Sequence, residues 1–254
     1  MNLVFGILVP FIGSILGTML VLFTKNKIND NLNKIQLGFA AGVMIASSIW
    51  SLILPSIDLS EKLGKIVWLP TTIGFIIGIA ILLMIDYIVG KIKIKCNKQD
   101  SKQKNVFMMI LALTLHNIPE GIAVGVAFAG ALSPNSPITM MQAIILAIGV
   151  AIQNFPEGAI VSIPLRNEGF SIKKSFFYGI LSAIVEPIAT IITIFLTSIV
   201  VPLLPYSFAF AAGAMFYVVI NELIPETNKD SGLFGTIGFT IGFLIMMILD
   251  ITFG

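Results

Sequence analysis

Eight stretches of this 254-residue chain run for twenty residues or more with at most one formal charge each. They are Leu3 to Thr24, Ile35 to Ile57, Val67 to Gly90, Asn105 to Ala131, Pro137 to Leu165, Ser175 to Val201, Tyr206 to Pro225 and Leu233 to Phe253. A helix needs about 20 apolar residues to cross the roughly 30 Å hydrocarbon core of a bilayer, so each stretch reads as a membrane span. Composition agrees: 57% of residues are apolar and 11% charged, against about 25% charged in soluble domains. The expected fold is an all-α integral membrane protein of eight transmembrane helices forming a single domain over residues 1–254. The first run follows no basic segment and precedes no small-residue cleavage site, so it reads as a span and not as a signal peptide. The single Cys96 rules out a disulfide framework and a thiolate metal site.

Basic residues set the expected orientation. Thirteen of the fifteen lie in the loops after spans 1, 3, 5 and 7, and only Lys62 and Lys65 lie on the other side. The positive-inside rule puts the thirteen in the cytoplasm and both termini outside it. The expected location is the plasma (inner) membrane, as a multi-pass protein.

The spans repeat. Gly38-Phe-Ala-Ala-Gly-Val-Met44 resembles Ala209-Phe-Ala-Ala-Gly-Ala-Met215, and Gly74, Gly78 and Asp86 of span 3 recur at the same spacing as Gly238, Gly242 and Asp250 of span 8. Spans 1–3 and 6–8 therefore read as copies. They are five spans apart, an odd number, so they face opposite ways, giving a 3+2+3 inverted repeat. Transporters built this way hold substrate near the midplane between the repeats. Spans 4 and 5 form a further pair, His116-Asn-Ile-Pro-Glu-Gly121 and Gln153-Asn-Phe-Pro-Glu-Gly158.

Six acidic residues fall within the spans: Asp86, Glu120, Glu157, Glu186, Glu222 and Asp250, with no Lys or Arg. Intramembrane carboxylates mark functional sites by default. Glu120 lies about 22 Å into its span, and Glu157 and Glu186 are also deep. Asp86, Glu222 and Asp250 lie near span ends, where solvation or helix capping is expected. At about 100° per residue, Glu120 falls between His116 and Asn117 on one helix face, and Glu157 between Gln153 and Asn154. Two such faces, with Glu186 added, would suit two cations bridged by the central carboxylates. One ion would see His116, Glu120, Gln153 and Glu157. The other would see Asn117, Glu120, Asn154, Glu157 and Glu186. Pro119, Pro156 and Pro187 free the carbonyls of Leu115, Ile152 and Ala183 beside these residues. One imidazole among oxygen donors points to a borderline divalent ion such as Zn²⁺, Fe²⁺ or Mn²⁺. Gln153 reads equally as a ligand or as an orienting neighbour.

The paired motif of Gln153-to-Gly158 and His116-to-Gly121 resembles the signature of the ZIP family (Zrt-, Irt-like proteins), in its bacterial branch. Gly38 to Pro55 and Asn221-Glu-Leu-Ile-Pro-Glu226 also resemble that branch. The resemblance implies eight helices, both termini outside, and uptake of Zn²⁺ or related ions (Fe²⁺, Mn²⁺, Cd²⁺) into the cytoplasm. It further implies a binuclear site on helices 4, 5 and 6, a homodimer, and an elevator-like motion of helices 1, 4, 5 and 6 against 2, 3, 7 and 8. Met44, Ser47 and Ser51 would line the pathway by match to the family; their spacings of four and seven independently put them on one face. The chain departs from the family in two places. Lys91 to Lys104 holds lysines and no His, which argues against the metal-collecting role of the His-rich loop in relatives. Asn154 stands where some relatives have Asp, which favours one dominant ion.

Nothing in the sequence suggests an enzyme or a nucleic-acid partner. A phosphate-binding Gly-x-x-x-x-Gly-Lys loop is absent. A hydrolytic zinc site needs about three strong ligands, and the chain has one His. Two alternatives to divalent-metal transport stay open: a proton- or sodium-coupled transporter of another cation, and an intramembrane metalloenzyme. The expected partners are the metal ion as substrate, the lipid bilayer and a second copy of the chain, with no cofactor.

Overall fold

The computed structural model describes residues 2–23, 30–61, 66–96, 102–134, 136, 138–167, 169–228 and 232–253, with no account of the side chains of 2, 89, 90, 92–96, 102–113, 115, 116, 160, 164, 167, 197, 198 and 202. These residues form α1 (Asn2–Phe23), α2 (Asp30–Glu61), α3 (Trp68–Cys96), α4 (Lys102–Leu132), α5 (Met140–Asn167), α6 (Ile172–Phe195), α7 (Leu204–Thr227) and α8 (Leu233–Phe253). Seven are long and apolar enough to cross a membrane; in α4 the apolar part with described side chains is the shorter Asn117–Leu132. The chain is a multi-pass, all-helical membrane protein.

Several helices run past the apolar stretches. α2 begins at Asp30 and takes in Lys34, and α3 continues through the lysine-rich stretch to Cys96. A long lysine side chain can lay its stem along apolar surface and extend its ammonium to the interface, so a helix need not end where charge begins. The rest of the loop between α3 and α4, residues 97–101, lies outside the described residues.

Helix pairing follows the repeat. α2 lies along α8 and α3 along α7; α1 lies along α5 and α4 along α6. Exchanging α1 with α6, α2 with α7, α3 with α8 and α4 with α5 maps each pairing onto another. Small residues bring the paired backbones together, as membrane helices require where no hydrophobic effect drives them. A Cβ on Gly38 or Gly42 would strike backbone of Gly235 or Phe239 on α8, and one on Gly238 or Gly242 would strike the carbonyls of Ile35 and Phe39 on α2. Gly74, Gly78 and Gly213 do the same between α3 and α7.

α2 and α7 each contain a π-helical turn, Ser48–Ile53 and Val219–Leu223, ending just before Pro55 or Pro225. Each proline lacks the N–H that would meet the carbonyl four residues back, on Ser51 or Asn221, so the ladder shifts to wider bonds. At these turns the second helix of each pair is tied by an aspartate. Ser51 Oγ donates to Asp250 Oδ1 at 2.6 Å. Tyr217 Oη and Asn221 Nδ2 donate to Asp86 Oδ2 at 2.7 and 3.0 Å. Asp250 is therefore neither solvated nor capping; only 7% of it is exposed, because α8 continues to Phe253 and presses it against α2.

Candidate metal site

The deep acids and amides of the paired motif meet in the bundle interior. Glu120 and Gln153 are fully buried, and Asn154 and Glu186 are 1% exposed. Gln153 Nε2 donates to Glu120 Oε1 at 2.6 Å, joining α5 to α4. Asn154 Nδ2 donates to Glu186 Oε2 at 2.7 Å, joining α5 to α6. Glu157, half-buried, is close enough to interact electrostatically with both Glu120 and Glu186. Four oxygens in this neighbourhood have no hydrogen-bond partner: Glu120 Oε2, Glu186 Oε1, Gln153 Oε1 and Asn154 Oδ1. Buried polar groups are normally satisfied, so four such oxygens in one neighbourhood make it a candidate ligand site; Gln36 Oε1, Ser175 Oγ and Asp250 Oδ2 also lack partners, each elsewhere in the structure. Among the described residues no three carboxylates, imidazoles or thiols are gathered closely enough to enclose an ion on their own.

The backbone that carries these groups is built twice. On α4, a Cβ at Gly121 would collide with the Glu186 carbonyl oxygen of α6. On α5, a Cβ at Gly158 would collide with the Ser14 carbonyl oxygen of α1. Four residues further on, Thr190 Oγ1 donates to Gly121 O at 3.0 Å, and Thr18 Oγ1 to Gly158 O at 3.4 Å. Four residues before the crossing, Asn117 Nδ2 donates to Ser182 O at 2.8 Å, and Asn154 Nδ2 approaches Pro10 O at 3.4 Å. The register is the same throughout, so Glu186 of α6 corresponds to Ser14 of α1. The motif glycine thus lets a neighbouring backbone lie directly beside the residue that carries the carboxylate.

The structure brings together Glu120, Gln153, Asn154, Glu157 and Glu186. It turns the Asn117 amide hydrogens to α6 backbone. The side chain of His116 lies outside the described residues. Of the three positions expected along the pathway on α2, Met44 is buried in the core, Ser47 Oγ donates to Met44 O at 3.1 Å, and Ser51 holds Asp250. The prolines act unequally. α4 and α5 stay helical through Pro119 and Pro156, whereas α6 breaks at Ile184, between Ile172–Ala183 and Val185–Phe195. Sequence reasoning missed Ser14, Thr18 and Thr190. Their signal was the shared spacing of four, Pro10-Ser14-Thr18 against Ser182-Glu186-Thr190.

A scan against protein families matches residues 96–250 to "ZIP Zinc transporter". The chain belongs to the ZIP zinc transporter family. Among similar proteins, it is 33% identical to zinc transporter ZIP11 of Xenopus tropicalis over 96% of this chain and 98% of that one. It is 32% identical to zinc transporter ZIPB of Bordetella bronchiseptica over 96% of this chain and 79% of the relative. Zinc transporter ZupT of Chlorobaculum parvum is 31% identical over 94% and 91% of the two chains. As a ZIP chain it is a transporter and not an enzyme, and the buried acids of α4, α5 and α6 fall inside the matched region.

Proposed function

We propose that this ZIP chain carries Zn²⁺, and related divalent ions such as Fe²⁺, Mn²⁺ or Cd²⁺, into the cytoplasm through a site on α4, α5 and α6. One observation supports this reading most: two fully sequestered carboxylates, Glu120 and Glu186, each keep an orphan oxygen beside orphan amide oxygens of Gln153 and Asn154. A dication is the ligand that oxygen donors without a basic partner would take.

The amides give the site a way to take up an ion. Each donates its NH₂ to a carboxylate and points its oxygen away from any partner. A half-turn about the last torsion exchanges amide nitrogen for oxygen at the same place. With an ion present, the oxygens of Gln153 and Asn154 would face it and release Glu120 Oε1 and Glu186 Oε2 as ligands. The protein would then exchange two hydrogen bonds for as many as four metal contacts without moving a helix.

In the binuclear reading His116, Glu120, Gln153 and Glu157 hold one ion, and Asn117, Asn154 and Glu186 join the shared carboxylates around the other. The commitment of the Asn117 amide to Ser182, and the neutrality of Asn154, favour the first position. The pairing of helices supports an elevator-like motion. α1, α4, α5 and α6 form one packed group and α2, α3, α7 and α8 another, so the first can slide against the second with its cargo. Met44, Ser47 and Ser51 lie on a helix of the second group, and both termini are placed outside. The unit in the membrane is a homodimer.

The test is zinc uptake by purified protein in vesicles loaded with a zinc-sensitive dye. Titration calorimetry with Zn²⁺, Cd²⁺ and Na⁺ accompanies it. Saturable zinc entry and divalent binding are expected. Sodium binding without zinc entry would favour a transporter of another cation. Metal-dependent cleavage of peptides or lipids would favour a metalloenzyme. Anomalous scattering from metal-soaked crystals counts the ions.

A further inference from the structure

We infer that Thr190 of α6, and more weakly its counterpart Thr18 of α1, are positioning residues that fix the separation of the site's carboxylates; this rests on the metal site proposed above. The geometry is specific. The Thr190 hydroxyl lies 3.0 Å from Gly121 O on α4 and 3.0 Å from Glu186 O on its own helix. Gly121 directly follows Glu120, so one hydroxyl spans the backbones that carry the two fully sequestered acids. Threonine 2% exposed has no water to compete for its proton. The missing Cβ of Gly121 leaves room for the Glu186 carbonyl at this crossing, and Ala189 Cβ lies alongside.

Neither threonine touches the ion in this arrangement. Each acts through the peptide next to a ligand. Without the hydroxyl, the Glu186 and Gly121 carbonyls lose the one group that contacts both, and the two backbones are free to shift at the crossing. A ligand set spaced for a cation of fixed radius then loses its fit. Thr18 makes the equivalent bond to Gly158 O, beside Glu157, at the longer distance of 3.4 Å. It has no acidic residue at the position of Glu186, only Ser14. The α1 crossing therefore matters less.

The experiment replaces Thr190 with Val, Ala and Ser, and Thr18 with Val, in the full-length protein. Zinc KM and Vmax are read in dye-loaded vesicles and Zn²⁺ affinity by calorimetry. Groups that orient metal ligands from behind typically change affinity by about 10–100-fold when removed. Thr190→Val and Thr190→Ala are expected to raise KM and the dissociation constant by about tenfold. Thr190→Ser keeps the donor and is expected to match wild type. Thr18→Val should show a smaller rise. Thr190→Ser failing as Thr190→Ala does would assign the effect to lost bulk and overturn the inference. So would wild-type KM and affinity in Thr190→Val or Thr190→Ala. Glu120→Gln run in parallel separates the two ideas. Wild-type transport in that variant sinks the site itself, whereas an inactive Glu120→Gln beside an unaffected Thr190→Ala sinks only the role of the threonine.

Discussion

The crossing of α4 with α6 and the crossing of α5 with α1 are one construction used twice. Each has an Asn-x-Pro-Glu-Gly helix whose glycine admits a neighbouring backbone, an asparagine amide directed at a carbonyl one turn earlier, and a threonine hydroxyl on the glycine carbonyl. They differ at the residue that faces the glycine, Glu186 on α6 and Ser14 on α1. A symmetric frame thus carries an asymmetric charge. The frame is shared, and the exchange of a carboxylate for a hydroxyl puts a negative charge at one crossing and none at the other. The Asn154 amide, which belongs by symmetry to the α1 side, turns across to Glu186 as well.

The largest expected effect removes the shared part of the comparison. Glu120→Ala or Glu157→Ala should reduce zinc uptake in vesicles to the leak of protein-free controls; normal rates in both would end the case for a site here. Next comes the asymmetry. Glu186→Ala should weaken zinc binding by roughly 10–100-fold, the equivalent of about 1.5–3 kcal/mol for a contact to a charged group. Ser14→Ala should change it by less than about 1 kcal/mol. Equal losses in calorimetry would show that charge does not distinguish the two crossings.

Gly121→Ala and Gly158→Ala probe the frame, not the charge, so their effects should be alike. Each puts a methyl group into a neighbouring carbonyl, an overpacking that costs about 1–3 kcal/mol. Thermal unfolding in detergent would read it, and a stable variant at either glycine would deny the close crossing there. The smallest contrast lies in the outer pairs. Ser51→Ala leaves Asp250, whose Oδ2 already lacks a partner, with no donor in place of the lost one, at about 1–3 kcal/mol. Tyr217→Phe leaves Asp86 its bond from Asn221, so a loss of about 1 kcal/mol is expected. Reversal of that order in the same unfolding assay would contradict the burial of Asp250.

Much of this was legible beforehand. Apolar length gave the all-helical membrane fold, because a bilayer permits no unsatisfied backbone. The recurrence of Gly38-to-Met44 and of Gly74-Gly78-Asp86 announced the two copies, and the structure joins those glycines in the α2–α8 and α3–α7 pairs. Helical angle placed Glu120 and Glu157 among their neighbours, since residues on one helix turn share a face whatever surrounds them. Depth misled for Asp250. Distance from a helix end does not report what packs against it, and α2 covers that carboxylate.

What sequence alone determined, then, was whatever depends on one helix at a time: spans, repeats and the polar faces of α4 and α5. Only the tertiary structure decided which amide meets which acid, that Asn117 serves backbone, and that Ser14 and Thr18 answer to Glu186 and Thr190. Those facts depend on the relative register of two helices. Register is set by where small residues let backbones touch, a property of pairs that no single span contains.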